Sequence, residues 1–332
     1  MTIVLFGEAR QANIYYRLGW DSDAQVIYVE MDDERVVYVP GFEYARAQEE
    51  VVSGVRVEKL NGYKDILQNI AGDVVVDFSF PYALAKHLLG EVEVRREVFA
   101  EQRIKKPQEI ALLAKAQELA KRAYRLVEAQ LREVEIRDGV AYAHGEELTS
   151  EQLKALVRSF LIQEGADCPE LIISSGSQTN KPHHRGSGAL QEGPVIVDIF
   201  PKASNRYHGD LTRTYLLGEH AQAQEMLEAV QEVQQACIKK CVAGQSIPAL
   251  HEYAQTQLAK KGFSTNKELT QGLVHSLGHG IGLAIHEAPN ISWRTQGVLE
   301  EGMVVTIEPG LYYDVGVRWE DAVVVGKEPR VL

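Results

Sequence analysis

Short apolar runs alternate with helix-like runs over the first hundred residues of the chain. Runs rich in β-branched residues predict four strands, over residues 2–6, 25–30, 35–40 and 73–78. Other runs predict helices over residues 43–52, 64–71 and 82–92. This alternation indicates a small α/β domain, which we assign to residues 1–103. No glycine-rich phosphate loop follows any of these strands, so the pattern gives no support for nucleotide binding.

A long amphipathic helix is expected to begin just after residue 104. Pro107 suits a first helical turn, and apolar residues follow it at helical spacing. Thr149, with Gln152 three residues later, is a capping-box signal for a second helix. Two further helices are predicted over residues 219–241 and 247–262, and strands over 193–201, 213–218, 302–313 and 316–325. Helices that come first, with strands interleaved and then dominant, indicate an α+β domain over residues 104–332.

Composition limits the classes of protein that fit the chain. Of its 332 residues, 45% are hydrophobic and 25% are charged, as in ordinary globular proteins. No apolar run approaches the ~20 residues that a membrane-spanning helix needs. The N-terminus lacks the basic region and the cleavage site of a signal peptide. We therefore expect a cytoplasmic protein without a membrane partner.

Charge and cysteine content narrow the choice further. With 35 basic and 47 acidic residues, the formal net charge is −12, which repels phosphate backbones, so we expect no nucleic-acid partner. Cys168, Cys237 and Cys241 are too few for a disulfide framework and lack zinc-finger spacing. We interpret them as buried core residues in a reducing compartment.

Three histidines lie in one glycine-rich stretch, HSLGHGIGLAIHEAP, over residues 275–289. His275 and His279 are four residues apart, and His286 follows seven residues later. The stretch alone is compatible with three metal ligands, with one ligand and two helpers, or with ordinary imidazoles near a turn. Whether the chain is a metalloenzyme therefore depends on residues elsewhere.

Four acidic residues lie inside apolar β-type runs, where an unpaired charge is costly. They are Asp198, Asp210, Glu308 and Glu320. A turn cap or an arginine partner explains one such residue, but four of them with a histidine cluster indicate metal binding. Four carboxylates and one imidazole carry about −4, which neutralises two divalent cations and suits manganese, cobalt or zinc. Two such ions can activate a shared water and polarise a carbonyl, which is the chemistry of metal-assisted hydrolysis.

This set of residues resembles that of the pita-bread metallopeptidases, which include methionine aminopeptidase, aminopeptidase P and prolidase. In that family the ligands run Asp, Asp, His, Glu, Glu along the chain. The matching contexts here are VDIF, GDLTRT, LGHGIGLAIHEAP, IEPGLY and RWED. The resemblance covers about residues 104–332 and implies a C-terminal pita-bread catalytic domain. The preceding α/β domain matches more loosely and implies the creatinase-type N-terminal domain of the branch with creatinase, aminopeptidase P and prolidase.

Carried over by position, the resemblance implies a set of five metal ligands. Asp198 would ligate one ion, and Asp210 and Glu320 would bridge the pair. His279 and Glu308 would complete the second ion's site. Glu308 would also carry a proton toward the leaving nitrogen.

The resemblance also implies four residues that act on the substrate or on the ligands. His286 matches the histidine that stabilises the developing oxyanion, and Arg318 matches the arginine that orients a carboxylate or the substrate. His275 matches an extra histidine of the proline-specific branch, with a strand histidine bonded to backbone as the alternative. An upstream histidine is His183 or His184, and we favour His183 because it follows proline.

One departure from the family pattern concerns the spacing of the aspartates. Asp198 and Asp210 are twelve residues apart, whereas the family has eleven. We expect the extra residue to form a β-bulge or a longer hairpin turn between them.

The function implied by the resemblance is hydrolysis of Xaa-Pro bonds at a free N-terminus. The expected mechanism is attack by a hydroxide that bridges two divalent metal ions. A homodimer is expected, because the N-terminal domain of this branch often packs against a partner subunit. One alternative is a non-peptidase hydrolase or lyase on the same scaffold, although creatinase-like relatives typically lose metal ligands and none is lost here. The other is a catalytically inactive binding module.

Overall fold

The computed structural model describes residues 1–32, 34–70, 72–265 and 270–332. The chain divides into two units, Met1–Gln102 and Arg103–Leu332. Within the described residues, none of the helices has both the length and the apolar character needed to cross a membrane.

A six-stranded mixed sheet forms the centre of the N-terminal unit. Its spatial order is β4-β3-β2-β1-β5-β6, with strands β1 (Thr2–Glu8), β2 (Gln25–Met31), β3 (Glu34–Val39), β4 (Arg56–Lys59), β5 (Val74–Asp77) and β6 (Val92–Arg95). Its helices are α1 (Ala12–Leu18), α2 (Tyr44–Glu50), α3 (Tyr63–Leu67) and α4 (Tyr82–Leu84), which continues as a π-helical turn over Ala85–Leu89. Because alternate strand residues point to opposite faces, Leu5 packs with Ile14 and Ala47 while Val4 packs with Leu67. Helices therefore cover both faces of the sheet.

The prediction of a helix over residues 82–92 is wrong at its C-terminal end, because the helical segment ends at Leu89. Gly90 has a φ of 81°, a left-handed conformation that favours glycine, and it ends the helical segment. Val92 then begins the edge strand β6, which pairs in parallel with β5. The apolar residues of this segment are therefore shared between a helix and a strand.

Other elements of this unit are shorter or less apolar than the sequence pattern suggests. The pattern misses α1, which has only two buried residues, and β4, an edge strand of the sequence RVEK. The helix predicted over residues 64–71 is the shorter α3, and Ala71 lies outside the described residues. Short elements with few buried side chains give little hydrophobic periodicity.

In its described residues, the C-terminal unit contains four long helices and four small sheets. The helices are α5 (Pro107–Arg132), α6 (Ser150–Gln163), α7 (Ala221–Ile238) and α8 (Ile247–Lys260), with a 3₁₀ turn at Gly176–Asn180. Another 3₁₀ turn, Ala100–Arg103, lies at the boundary between the two units in the sequence. The first strands are β7 (Glu135–Arg137), β8 (Val140–Ala143), β9 (Glu146–Glu147), β10 (Ile172–Ser175), β11 (Gly193–Ile199) and β12 (Leu211–Leu217). The later strands are β13 (Gly278–Gly280), β14 (Glu287–Ile291), β15 (Val304–Ile307), β16 (Gly310–Tyr312), β17 (Gly316–Arg318), β18 (Asp321–Val324) and β19 (Arg330–Val331). The sheets have the orders β7-β8-β9, β10-β11-β12, β14-β13-β15-β18-β19 and β16-β17.

The starts of two helices follow the predicted capping signals. Pro107 lies in the first turn of α5. At α6, the Thr149 hydroxyl accepts from the Gln152 N–H at 3.2 Å, and the Gln152 side chain accepts from the Thr149 N–H at 2.7 Å. The predicted capping box is therefore confirmed.

Two predicted strands, 302–313 and 316–325, are each divided in the structure, so their predicted continuity is wrong. The first contains β15 and β16, separated by Glu308 and Pro309, and the second contains β17 and β18, divided at Glu320. Proline has no N–H for a strand ladder, and at both points the chain passes between the five-stranded and the two-stranded sheet. Two candidate ligands therefore lie where the chain crosses between sheets.

The hairpin between β11 and β12 takes up the extra residue between the two aspartates. All of Gly193–Ile199 pairs with β12 in unbroken register, so this ladder, which is fully described, is without a bulge. A loop over residues 200–210 makes the connection and is narrowed by a bridge between Lys202 and His208. Of the two expected arrangements, the structure has the longer turn.

Candidate metal centre

The five predicted ligands come together in the C-terminal unit from five positions along the chain. Asp198 lies in β11 and Asp210 precedes β12, whereas His279 lies in β13, Glu308 follows β15 and Glu320 precedes β18. Asp198, Asp210 and Glu320 are 8%, 4% and 2% exposed, respectively. Carboxylates that are this deeply buried require a compensating charge or hydrogen bonds.

The His279 imidazole faces two of the carboxylates. Its Nε2 lies 3.4 Å from Glu308 Oε1 and 3.5 Å from Asp210 Oδ2. Its Nδ1 lies 3.1 Å from the Gly280 carbonyl oxygen, which assigns the proton to Nδ1 and a lone pair to Nε2. Burial lowers the pKa of His279, which keeps the ring neutral near pH 7. A lone pair that faces two ionised carboxylates is repelled unless a proton or a cation lies among them, and a cation lies there in metal sites whose histidine donates its other N–H to a carbonyl.

The carboxylates themselves behave as a cluster of unneutralised charge. Ligand atoms of Asp210, His279 and Glu320 all lie within 4.8 Å of one another. Burial, followed by repulsion from Glu320 and Asp198, raises the pKa of Asp210. Burial likewise raises the pKa of Glu320 and of Glu308. Bound divalent cations reverse such shifts, so the oxygen-rich set with one imidazole fits two divalent metal ions.

Arg318 holds the remaining aspartate. Its Nη2 donates to Asp198 Oδ2 at 2.5 Å, and both side chains are buried. Its Nε donates to the Thr212 hydroxyl at 3.2 Å. In the described part of the chain, Asp198 Oδ1 is buried without a hydrogen-bond partner. One carboxylate oxygen is thus fixed by the guanidinium, and the other is left for a ligand.

A chain of hydrogen bonds connects Arg318 to His275. Arg318 Nη1 donates to the Tyr312 hydroxyl at 2.9 Å, and that hydroxyl lies 3.1 Å from His275 Nε2. His275 Nδ1 lies 2.7 Å from the Ser276 carbonyl oxygen, so Nδ1 donates there and Nε2 accepts from Tyr312. His275 therefore has a backbone partner and also a link to the arginine that holds Asp198.

The geometry favours His183 over His184 as the upstream site histidine. His184 Nδ1 accepts from the Gly186 N–H at 3.0 Å, which engages that ring in a local turn. Burial is the main cause of the lowered pKa of His275 and of His286, and the nearby His183 lowers both further. His183 is therefore near enough to both histidines to affect their pKa, whereas His184 is engaged locally.

His286 lies next to the predicted ligand histidine. The ring centroids of His279 and His286 are 4.4 Å apart, and the ring planes meet edge to face at an angle of 81°. Burial lowers the pKa of His286 as well, so it too is neutral near pH 7. A neutral imidazole at this position can donate one hydrogen bond to a substrate oxygen.

Two buried threonines, which the sequence reasoning missed, orient the glutamates. The Thr212 hydroxyl donates to Glu320 Oε2 at 2.7 Å. The Thr306 hydroxyl accepts from the His279 N–H at 3.0 Å and lies 3.3 Å from Glu308 Oε1. Threonine is common in strands, so these positions carry no distinctive signal in the sequence.

A buried glutamine of α5, also missed, fixes the backbone of Asp210. Gln117 Oε1 accepts from the Asp210 N–H at 2.8 Å, and its Nε2 donates to the Asp210 carbonyl oxygen at 2.7 Å. The available signal was a polar residue on the apolar face of a helix, four positions after Leu113.

Comparison with known proteins places this chain in one family. Residues 111–327 match Metallopeptidase family M24. Because the match covers well over half of the chain, the protein belongs to this family and is a metallopeptidase that acts on peptides.

Individual relatives resemble the chain over nearly its whole length. The Xaa-Pro dipeptidase of Pyrococcus horikoshii is 30% identical over 333 residues, which cover 96% of this chain and 89% of that protein. The solved structure of the prolidase from Pyrococcus horikoshii OT3 has a TM-score of 0.85 at 28% identity, and the match covers 99% of this chain and 92% of that one. The prolidase from Pyrococcus furiosus also gives 0.85 at 28% identity, over 99% and 95% of the two chains.

These similarities confirm the expected fold class and kind of cofactor. The protein is α+β, with the pita-bread fold of the metallopeptidases. Its family uses two divalent metal ions, and the buried carboxylate–imidazole cluster has the chemistry to hold them.

Proposed function

We propose that this enzyme hydrolyses Xaa-Pro bonds at the free N-terminus of dipeptides or short peptides. The observation that carries the proposal is the buried cluster in which Asp210, His279 and Glu320 bring their ligand atoms within 4.8 Å of one another. The similarity to an Xaa-Pro dipeptidase and to two prolidases supports the same substrate class.

The five clustered side chains would hold two ions of manganese, cobalt or zinc. They are Asp198, Asp210, His279, Glu308 and Glu320. When bound, such ions polarise the scissile carbonyl and lower the pKa of water at the site. Each glutamate and His279 is pre-oriented by a threonine hydroxyl or by a backbone carbonyl, which keeps the ligand atoms in place.

Glu308 and His286 would carry out the proton transfer and the charge stabilisation. Glu308 lies beside His279 within the proposed ligand set, so its carboxylate would be placed to take a proton from the attacking water. The proton would then pass from Glu308 to the leaving proline nitrogen. His286 would donate a hydrogen bond to the carbonyl oxygen as negative charge develops there.

Three other polar side chains would complete the substrate side of the site. Arg318 fixes Asp198 through the 2.5 Å contact. His275 accepts from Tyr312 and so supports that arginine. His183 would contact the substrate directly, because it lies beside His275 and carries no local turn contact of the kind seen at its neighbour.

We further propose a cytoplasmic homodimer that has no nucleic-acid or membrane partner, with domains at residues 1–103 and 104–332. The three cysteines are free and buried, which suits a reducing compartment. Light scattering coupled to gel filtration should give twice the mass of one chain, and a mass equal to one chain would overturn the dimer.

A peptide panel tests the proposed activity directly. Protein freed of metal with a chelator is supplied with manganese, cobalt or zinc. It is then incubated with Xaa-Pro dipeptides, longer Xaa-Pro-Yaa peptides and Met-initiated peptides without proline. Mass spectrometry should show release of the first residue from the Xaa-Pro peptides alone. His279→Ala is the matched inactive control.

Two outcomes would contradict the proposal. If no peptide is cleaved with any of the three metals, the peptidase assignment to this site is wrong. If the Met-initiated peptides are cleaved and the Xaa-Pro peptides are not, the proposed specificity is wrong although the peptidase class stands.

A further inference from the structure

A buried ion pair lies beside the turn that carries His286. Lys105 Nζ lies 2.6 Å from Glu287 Oε2, and the two side chains are 3% and 13% exposed. The lysine backbone is itself anchored, because its N–H donates to the Gly302 carbonyl oxygen at 2.9 Å. The two residues are 182 positions apart in the chain, so the fold alone brings them together.

Glu287 also closes the turn that precedes it. Its Oε1 accepts from the Ala284 N–H at 3.0 Å. The carboxylate also packs on Gly282, where a Cβ atom would come within 2.5 Å of both carboxylate oxygens. Residues 281–286 lie between β13 and β14 without regular secondary structure. Backbone hydrogen bonds to Val304 and His208 hold the first part of this segment, at Ile281 and Gly282, whereas the Glu287 carboxylate holds Ala284.

We propose that Lys105 is a positioning residue for His286, acting through Glu287 and the turn that Glu287 closes. The inference rests on the proposed function, in which His286 donates to the substrate carbonyl oxygen. His286 and Glu287 are adjacent in sequence, so a shift of the glutamate moves the imidazole. Catalytic groups lose about 100-fold in rate when displaced by an ångström, so the pair affects catalysis without touching the substrate.

A double-mutant cycle tests this coupling. Lys105→Met, His286→Ala and the double variant are compared with the wild type for kcat and KM on one Xaa-Pro dipeptide at equal metal content. We expect Lys105→Met to lower kcat about 10- to 100-fold. In the His286→Ala background the same substitution should change kcat less than about 2-fold, because the group it positions is gone. Additive effects of the two substitutions would overturn the proposal.

Hydrogen exchange provides a readout that is independent of activity. Amides in residues 281–290 should exchange faster in Lys105→Met than in the wild type, as measured by mass spectrometry of proteolytic fragments. Unchanged exchange in this segment would also overturn the proposal. If Lys105→Met does not fold, Glu287→Gln is used in its place. This variant keeps the acceptor for the Ala284 N–H but removes the charge, and it should show the same loss of kcat and the same faster exchange.

A matched control removes a lysine from an exposed ion pair. Lys261 contacts Glu232 at the surface, and Lys261→Met should leave kcat and the exchange of residues 281–290 unchanged. Failure of the proposed function shows separately, since the wild type would then cleave no Xaa-Pro peptide while the exchange measurement would still report on the turn. If the wild type is active but the two substitutions have additive effects on kcat, only the proposed role of Lys105 is contradicted, and the proposed function stands.

Discussion

At the scale of single residues, the three histidines of one short segment have three different sets of partners. His279 directs a lone pair toward carboxylates, because its other nitrogen is bonded to a carbonyl. His275 accepts from Tyr312, and His286 lies against the His279 ring. Their neutral state follows from burial in each case. Similar side chains in one motif therefore have different surroundings.

Substitution of two of these histidines should separate metal binding from catalysis. His279→Ala should abolish peptide cleavage and lower the metal content, because it removes a ligand. His286→Ala should lower kcat about 100- to 1,000-fold, the usual effect of losing one oxyanion donor, while metal content stays normal. Metal content by atomic emission and kcat on one dipeptide are measured for both variants. Metal loss in His286→Ala alone would mean that the two roles are reversed.

The buried pair of Arg318 and Asp198 makes a prediction about stability. Arg318→Met leaves the carboxylate, which is 8% exposed, without its cation. Removing one partner of a buried ion pair costs about 3–5 kcal/mol. Urea unfolding of the metal-free protein should show a loss of this size. Arg122→Met, in an exposed pair with Glu164, should cost less than about 1 kcal/mol, and equal losses would contradict the account.

The candidate site residues could be predicted from the sequence because the residues next to each of them are distinctive. Asp198 and Glu308 stand out as acids within apolar runs. The supporting contacts were not accessible, because Lys105 and Gln117 meet their partners across long stretches of chain. The sequence favoured His183 over His184 because it follows proline, and the local hydrogen bond between His184 and Gly186 supports the same choice.

At the scale of secondary-structure elements, two of the candidate ligands lie where strands stop. Glu308 and Glu320 lie at breaks between strands that the sequence pattern predicts as continuous. A run of apolar residues predicts a strand, but it does not show where the chain passes from one sheet to another. The long helices, by contrast, follow their caps and periodicity closely, as at α6.

Helix α5 is expected to contribute to the site through one side chain. Gln117→Leu removes both hydrogen bonds to the Asp210 backbone and leaves two buried polar groups unpaired. Each such group costs about 1–3 kcal/mol. The free energy of unfolding should fall by about 2–6 kcal/mol in urea titrations, and metal affinity should weaken. Gln108→Leu, at an exposed position of the same helix, is the control. If both substitutions lower the free energy of unfolding and the metal affinity equally, Gln117 has no specific role at the site.

At the scale of the whole molecule, the clustered carboxylates link metal, protons and stability. Burial raises the pKa of Asp210, Glu320 and Glu308 in the metal-free fold. The folded state then binds more protons than the unfolded chain above about pH 4, where ordinary carboxyls ionise. Stability must therefore fall as pH rises through this window. Divalent ions displace these protons, so metal binding should strengthen as pH rises.

Thermal unfolding of chelated protein between about pH 5 and pH 8 measures this linkage. The Tm of the metal-free wild type should fall with rising pH more steeply than that of Glu320→Gln, which cannot ionise at that position. Added manganese should reduce the difference. Equal slopes for the two metal-free proteins would show that the cluster does not carry raised pKa values.

The central claim is that Asp198, Asp210, His279, Glu308 and Glu320 hold two divalent metal ions together. Anomalous diffraction from crystals grown with manganese measures this most directly, since it locates each ion and its ligands independently of activity. The account predicts two anomalous peaks, both ligated by members of this set. A map with no peak among these five side chains, or with peaks at other residues, would contradict it.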